Sequence, residues 1–154
     1  GRGVDDLAKE ELIAQSHKDA KMARDEGLEH LANAAFQCGL DLHRELGPGL
    51  LESVYEVLLY ESLRREGLSV ERQVPVRIEF KGIVIDNAFR ADLLVENQLL
   101  VELKSVEQNA AVHAKQLLTY LRLMDLRLGL LMNFGMERFS QGVRRLTNGY
   151  DGKL

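Results

Sequence analysis

Apolar and polar positions alternate in two different rhythms along this chain. From residue 28 to about 66 the apolar side chains recur every three or four positions, first as Leu28, Leu31, Ala32, Ala35 and Phe36. The same spacing returns as Leu51, Val54, Tyr55, Leu58, Leu59 and Ser62, so each set predicts one buried helical face. Residues 4 to 26 are rich in helix formers and free of proline but more polar, and Gly27 divides them from the next run. The pattern predicts helices over 4–26, 28–46 and about 50–66, with Gly47-Pro48-Gly49 ending the second and Gly67 capping the third.

Beyond residue 69 the period drops to two. Val74, Val76, Ile78 and Phe80 fall on one face of a strand, and Gln73, Arg77, Glu79 and Lys81 on the other. Lys81-Gly82 and Asp86-Asn87 read as turns. Two Leu/Val-rich runs then flank Glu96-Asn97-Gln98, a hairpin signature over 90–104. A helix follows over about 109–124, its apolar side made by Ala111, Ala114, Leu117, Leu118 and Leu121. Leu128 to Phe134 is continuously apolar and predicts an internal strand, whereas 136–150 fits either a short helix or a strand. The expectation is a single α/β domain: a mixed sheet of about four strands flanked by helices, with an N-terminal helical extension over 1–35 and the main domain over 36–154.

At 154 residues the chain suits one compact domain. No apolar run reaches the length of a membrane span, and the N-terminal stretch has no signal-peptide core, so a cytoplasmic protein without a membrane partner is expected. Cys38 is the sole cysteine, which excludes an intrachain disulfide and argues against a cysteine-based zinc site. Of the net charge of -4, -3 lies in residues 1–30. The remainder is nearly neutral, which argues against coating nucleic acid through bulk charge.

The central hairpin places ionisable groups where burial is costly. Asp92, Glu102 and Lys104 lie in its strands, and Glu102 and Lys104 share a face opposite Val101 and Leu103. Two carboxylates suit Mg²⁺ or Mn²⁺, and a lysine can orient a water or neutralise a phosphate; the plainer alternative is a structural Glu102–Lys104 ion pair. Hairpin register decides between them. A two-residue turn at Glu96-Asn97 sends Asp92 and Glu102 to opposite faces. A three-residue loop, with Asn97 or Gln98 left-handed, brings Val95 opposite Leu99, Asp92 opposite Glu102 and Arg90 opposite Lys104. The metal site requires the second arrangement or a bulge that restores the same parity, so Asp92 and Glu102 are expected as cross-strand neighbours on one face with Lys104, with Glu52 approaching from its helix. The following helix adds His113, Gln116 and Tyr120 as one polar stripe, while Glu52 falls at the edge of the apolar face of its helix. His30 and His43 have no partners visible in the sequence and read as surface or packing residues.

Gly49-Leu50-Leu51-Glu52-Ser53-Val54-Tyr55 resembles the signature of the GxxExxY proteins. Arg90-Ala91-Asp92, Glu102-Leu103-Lys104, Gln116 to Tyr120 and Asn133-Phe134-Gly135 are similar to the same family, in the same order over about residues 36–146. That family is grouped with the PD-(D/E)xK nucleases, and the Gln-xxx-Tyr helix is similar to that of RecB-like members. The resemblance implies a restriction-endonuclease-like fold and a Mg²⁺- or Mn²⁺-dependent nuclease acting on DNA. It further implies Glu52, Asp92 and Glu102 as acidic metal-site residues, Lys104 as the catalytic lysine, and Gln116 with Tyr120 in support. Ala91 stands where the motif's name has proline, and residues 1–30 lie outside the match. The residues do not discriminate DNA from RNA. The rival expectation is a non-catalytic nucleic-acid-binding or assembly module of the same fold, with a homo-oligomer or protein partner held through the N-terminal helices.

Overall fold

A computed structural model describes residues 3–149; residues 1, 2 and 150–154, the outer ends of the two expected segments, lie outside the described residues. The elements are α1 (Val4–Leu46), α2 (Glu52–Arg65), β1 (Val70–Phe80), β2 (Ile83–Val95), β3 (Leu99–Lys104), α3 (Ala111–Leu123), β4 (Leu128–Asn133), α4 (Phe139–Gly142) and β5 (Val143–Thr147). The strands form one mixed sheet in the order β1-β2-β3-β4-β5. Only β3 and β4 run parallel, joined through α3; the other neighbours are antiparallel. The stretch 136–150, open between helix and strand, contributes α4 and the fifth strand before ending in Asn148-Gly149.

Both faces of the sheet are covered. On one side α1 and α2 pack Leu28, Leu31, Ala35, Tyr55, Leu59 and Leu63 onto Leu93, Val95, Leu99, Val101 and Leu103. On the other, α3 packs Ala114, Leu117, Tyr120 and Leu121 onto Val76, Ala91, Leu100 and Leu131. With helices on both sides, β4 is buried along its whole length, as its unbroken apolar run requires.

Three local expectations are corrected. The two N-terminal helices are one, α1, running through Gly27 without a break. A mid-helix glycine costs only about 1 kcal/mol relative to alanine, less than the packing of the stripe from Leu28 to His43 returns. Every residue from Gly3 to Arg24 is exposed. In β2, Asp86-Asn87 makes a bulge rather than a turn: Val76 pairs with Phe89 and Ile78 with Ile85, leaving three residues opposite one. The buried face of α2 is rotated, with Tyr55, Glu56, Leu59 and Leu63 inside and Leu51 and Val54 exposed.

The loop between α1 and α2 is tied by Tyr55. Its hydroxyl donates to the carbonyl of Gly47 and accepts the N–H of Leu50, while its ring stacks on Phe134 at 4.4 Å. Gly67 takes the left-handed φ of 85° expected of a helix cap. Among the described residues, no helix is long and apolar enough to cross a membrane. Cys38 is free and buried.

Candidate active site

The hairpin of β2 and β3 closes through Glu96-Asn97-Gln98, with Val95 opposite Leu99, Leu94 opposite Leu100 and Leu93 opposite Val101. Glu96 and Asn97 are left-handed, with φ of 50° and 54°. This three-residue loop gives the parity that puts Asp92 next to Glu102. There the backbone ladder stops, and side chains replace its rungs. The Asp92 N–H donates to Glu102 Oε1 at 2.7 Å, and the Leu103 N–H donates to Asp92 Oδ2 at 2.8 Å. The paired backbone does not continue to the expected Arg90–Lys104 pair, although on the other edge of β2 Arg90 remains opposite Pro75 of β1. The strands therefore part at the two carboxylates, and each carboxylate caps an amide that the parting would strand.

The hairpin also changes sides here. Leu93 and Val95 belong to the core under α1 and α2, but Ala91 and Phe89 pack toward α3. Asp92 lies at the crossover, within reach of groups from both layers. On β1, facing it, Gln73 has a left-handed φ of 52°, rare for a residue within a strand.

Electrostatics at this point are unbalanced toward negative charge. Glu102 is buried, and desolvation together with the adjacent Asp92 pushes its carboxyl up to about 9. Asp92 is also raised, first by burial and then by the charge of Glu56, against the opposing pull of the Leu103 N–H. The two carboxyl groups lie close enough for each to act on the other's titration. Glu52 stands at the exposed start of α2, raised by partial desolvation and by Asp92. Lys104 is half-buried and interacts with Glu52, Asp92 and Glu102 through space. Among the described residues it makes no direct ion pair, so the simple Glu102–Lys104 bridge is absent.

From the other layer, α3 presents its polar stripe. Tyr120 is buried against Phe89 at 5.2 Å, one helical turn after Gln116; burial, then Glu102 and Asp92, raise its hydroxyl, against the opposing pull of the Gln116 side chain. Gln116 is exposed. His113 is held below the usual imidazole range by burial and by Lys104. The structure thus brings Asp92, Glu102, Lys104, Tyr120 and Gln116 into one neighbourhood, with Glu52 at its margin. His43 packs elsewhere and donates from Nε2 to the Met136 carbonyl at 2.7 Å.

Two residues of the cleft have no counterpart in the sequence-based set. Glu56 is buried at 6% exposure and accepts from Gln73 Nε2 at 2.5 Å and from Arg72 at 3.4 Å. Gln73 Nε2 also lies 3.4 Å from Asp92 Oδ1. With Leu51, Glu52 and Ser53 these groups line an open cleft beside Asp92. The usable signal for Glu56 is its position one helical turn after Glu52. The Asn133-Phe134-Gly135 segment serves the frame of the site. Asn133 Oδ1 accepts the N–H groups of Val106 and Gly135, and its Nδ2 donates to Asn109, fixing the chain that leaves β3 after Lys104.

Among the described residues no group of three or more His, Cys, Asp or Glu is already arranged as a metal site. The donors that do converge are the carboxylate oxygens of Asp92 and Glu102, with Glu52 at the margin. That set suits a hard divalent cation bound by two carboxylates, its other positions left to water and substrate. A family model described as the PD-(D/E)XK nuclease superfamily matches residues 29–146. No curated protein and no solved structure matches the chain.

Proposed function

Because this chain belongs to the PD-(D/E)XK nuclease superfamily, we propose that it is a metal-dependent nuclease hydrolysing phosphodiester bonds of DNA, with Asp92 and Glu102 as ligands for Mg²⁺ or Mn²⁺. The observation that carries this reading is the pair of backbone-to-carboxylate hydrogen bonds that places Asp92 and Glu102 side by side where β2 and β3 part, with Lys104 two residues beyond Glu102 on β3. A divalent cation held by Asp92 and Glu102 would supply a Lewis acid for the phosphoryl oxygen and an activated water. Lys104, free of any direct ion pair among the described residues, neutralises charge on the phosphate and orients the attacking water. Gln116 donates from its amide to a phosphate oxygen, and Tyr120 braces it. Glu52, at the open margin of the cleft, would accept hydrogen bonds from water there. DNA follows the expectation carried by the resemblance, and RNA serves as the control substrate. The test is incubation of purified protein with linear, nicked and single-stranded DNA, and with RNA, in Mg²⁺ or Mn²⁺. Cation-dependent cleavage of DNA that Lys104→Ala and Asp92→Asn both remove is the expected result. No cleavage, or cleavage that survives Lys104→Ala, overturns it.

One observation favours a second reading, an assembly module. The first half of α1 is exposed on all sides and carries Leu7, Leu12, Ile13 and Met22 in solvent, although a helix without a packing partner is only marginally stable. Light scattering decides: a monomer removes the assembly role.

A further inference from the structure

We infer that Gln73 is a positioning residue for the metal-binding carboxylate of Asp92, aimed by its left-handed backbone and anchored by the buried Glu56; this rests on the nuclease reading of the same site. Three carboxylates, Glu56, Asp92 and Glu102, converge with a single lysine nearby. Unscreened, Glu56 and Asp92 repel and drive each other's rotamers apart. The Gln73 amide stands between them, donating to Glu56 Oε1 at 2.5 Å with its Nε2 3.4 Å from Asp92 Oδ1. An uncharged group with two N–H donors is suited to that place, because it lends each carboxylate a donor without neutralising the charge a cation needs. The Leu103 N–H holds the other oxygen, Oδ2, so the two contacts define the plane of the Asp92 carboxylate.

The backbone points the same way. Gln73 has φ of 52° inside β1, a conformation that disfavours any residue with a Cβ and that asparagine or glycine enters more easily. Strain of this kind persists where the surroundings over-determine it, and such residues gather at functional sites. Glu56 supplies the determination. It is buried, and Arg72 reaches its second oxygen, so the Gln73 side chain has a fixed partner on α2.

Backbone relief and amide placement are separable by substitution. Gln73→Gly takes the left-handed φ without strain but has no amide, whereas Gln73→Ala has neither benefit. Mn²⁺ affinity by calorimetry and thermal melting without metal are measured on wild type and both variants. Gln73→Gly is expected to melt at least as high as Gln73→Ala, while both bind Mn²⁺ about 10-fold or more weakly than wild type, the loss usual for a partner that orients a ligand. Wild-type Mn²⁺ affinity in folded Gln73→Gly overturns the inference alone. Absence of Mn²⁺ binding by the wild-type protein overturns the nuclease reading, and this inference with it.

Discussion

Asp92 and Glu102 hold two parting strands together: the Asp92 N–H donates to the Glu102 carboxylate, and the Asp92 carboxylate accepts the N–H of Leu103. This gives the metal-free protein a signature in pH. Glu102 titrates near 9 in the fold, far above an unfolded glutamate, so between about pH 4.5 and 9 the folded state binds the extra proton. Stability is then full below the unfolded value and falls as pH rises through this window, by at most about 1.4 kcal/mol per pH unit for one proton. Thermal melting against pH in chelator is expected to show the fall, and Glu102→Gln to flatten it. At pH 8, added Mn²⁺ is expected to restore stability in wild type, by about 2.7 kcal/mol at 100 times Kd, and not in Glu102→Gln.

Lys104 separates binding from chemistry. Its ammonium meets the carboxylates through space without a direct ion pair among the described residues, so Lys104→Ala leaves the backbone hydrogen bonds to the Asp92 and Glu102 carboxylates intact. Calorimetry is expected to give Mn²⁺ affinity within a few-fold of wild type, and a cleavage assay to give kcat at least about 100-fold lower, the usual loss of a charge-stabilising donor. Loss of Mn²⁺ binding in a folded variant would instead make Lys104 part of the frame of the metal site.

Tyr120 stands behind Gln116. Tyr120→Phe retains the ring contact with Phe89 and removes only the hydroxyl. Melting is expected to change by no more than about 1.5 kcal/mol, whereas kcat falls several-fold as Gln116 loses its brace. Equal kcat in the two proteins would remove Tyr120 from the working groups.

How far the sequence could be read follows from where its signals are local. Hairpin parity depends on loop length, and Glu96-Asn97-Gln98 left two lengths open; the demand that Asp92 and Glu102 share a face selected the three-residue loop that forms, in which Asn97 and, unforeseen, Glu96 are left-handed. Apolar alternation showed the strands. What escaped were placements decided by distant partners. Glu56 was hidden because its burial depends on Arg72 and Gln73 from a strand still to come. Gln73 looks like any polar strand residue, since no local rule predicts a left-handed glutamine. Asp86-Asn87 carries a turn signal that the chain spends on a bulge, because strand pairing resumes beyond it.

Gly27 provides a direct check on the continuous α1. A Cβ built there meets nothing within 4 Å, and the residue is exposed within a helix. Gly27→Ala is expected to stabilise the protein by about 1 kcal/mol, read by melting. A break at this position would turn the same substitution neutral or destabilising. Gly135→Ala is the opposite case: its Cβ would stand 2.2 Å from the Val106 carbonyl oxygen, and a loss of about 1–3 kcal/mol is expected.

The length of α1 governs how the molecule moves through water. At about 1.5 Å per residue, the exposed stretch from Val4 to Arg24, before Asp25 meets Arg127, reaches roughly 30 Å from a body whose radius of gyration is about 13 Å. Such a rod raises the friction of a single chain well above that of a sphere of equal mass. A monomer is therefore expected to elute early in gel filtration, at the position of a larger globular protein, and to tumble anisotropically, its backbone amides along α1 relaxing differently from those across the sheet.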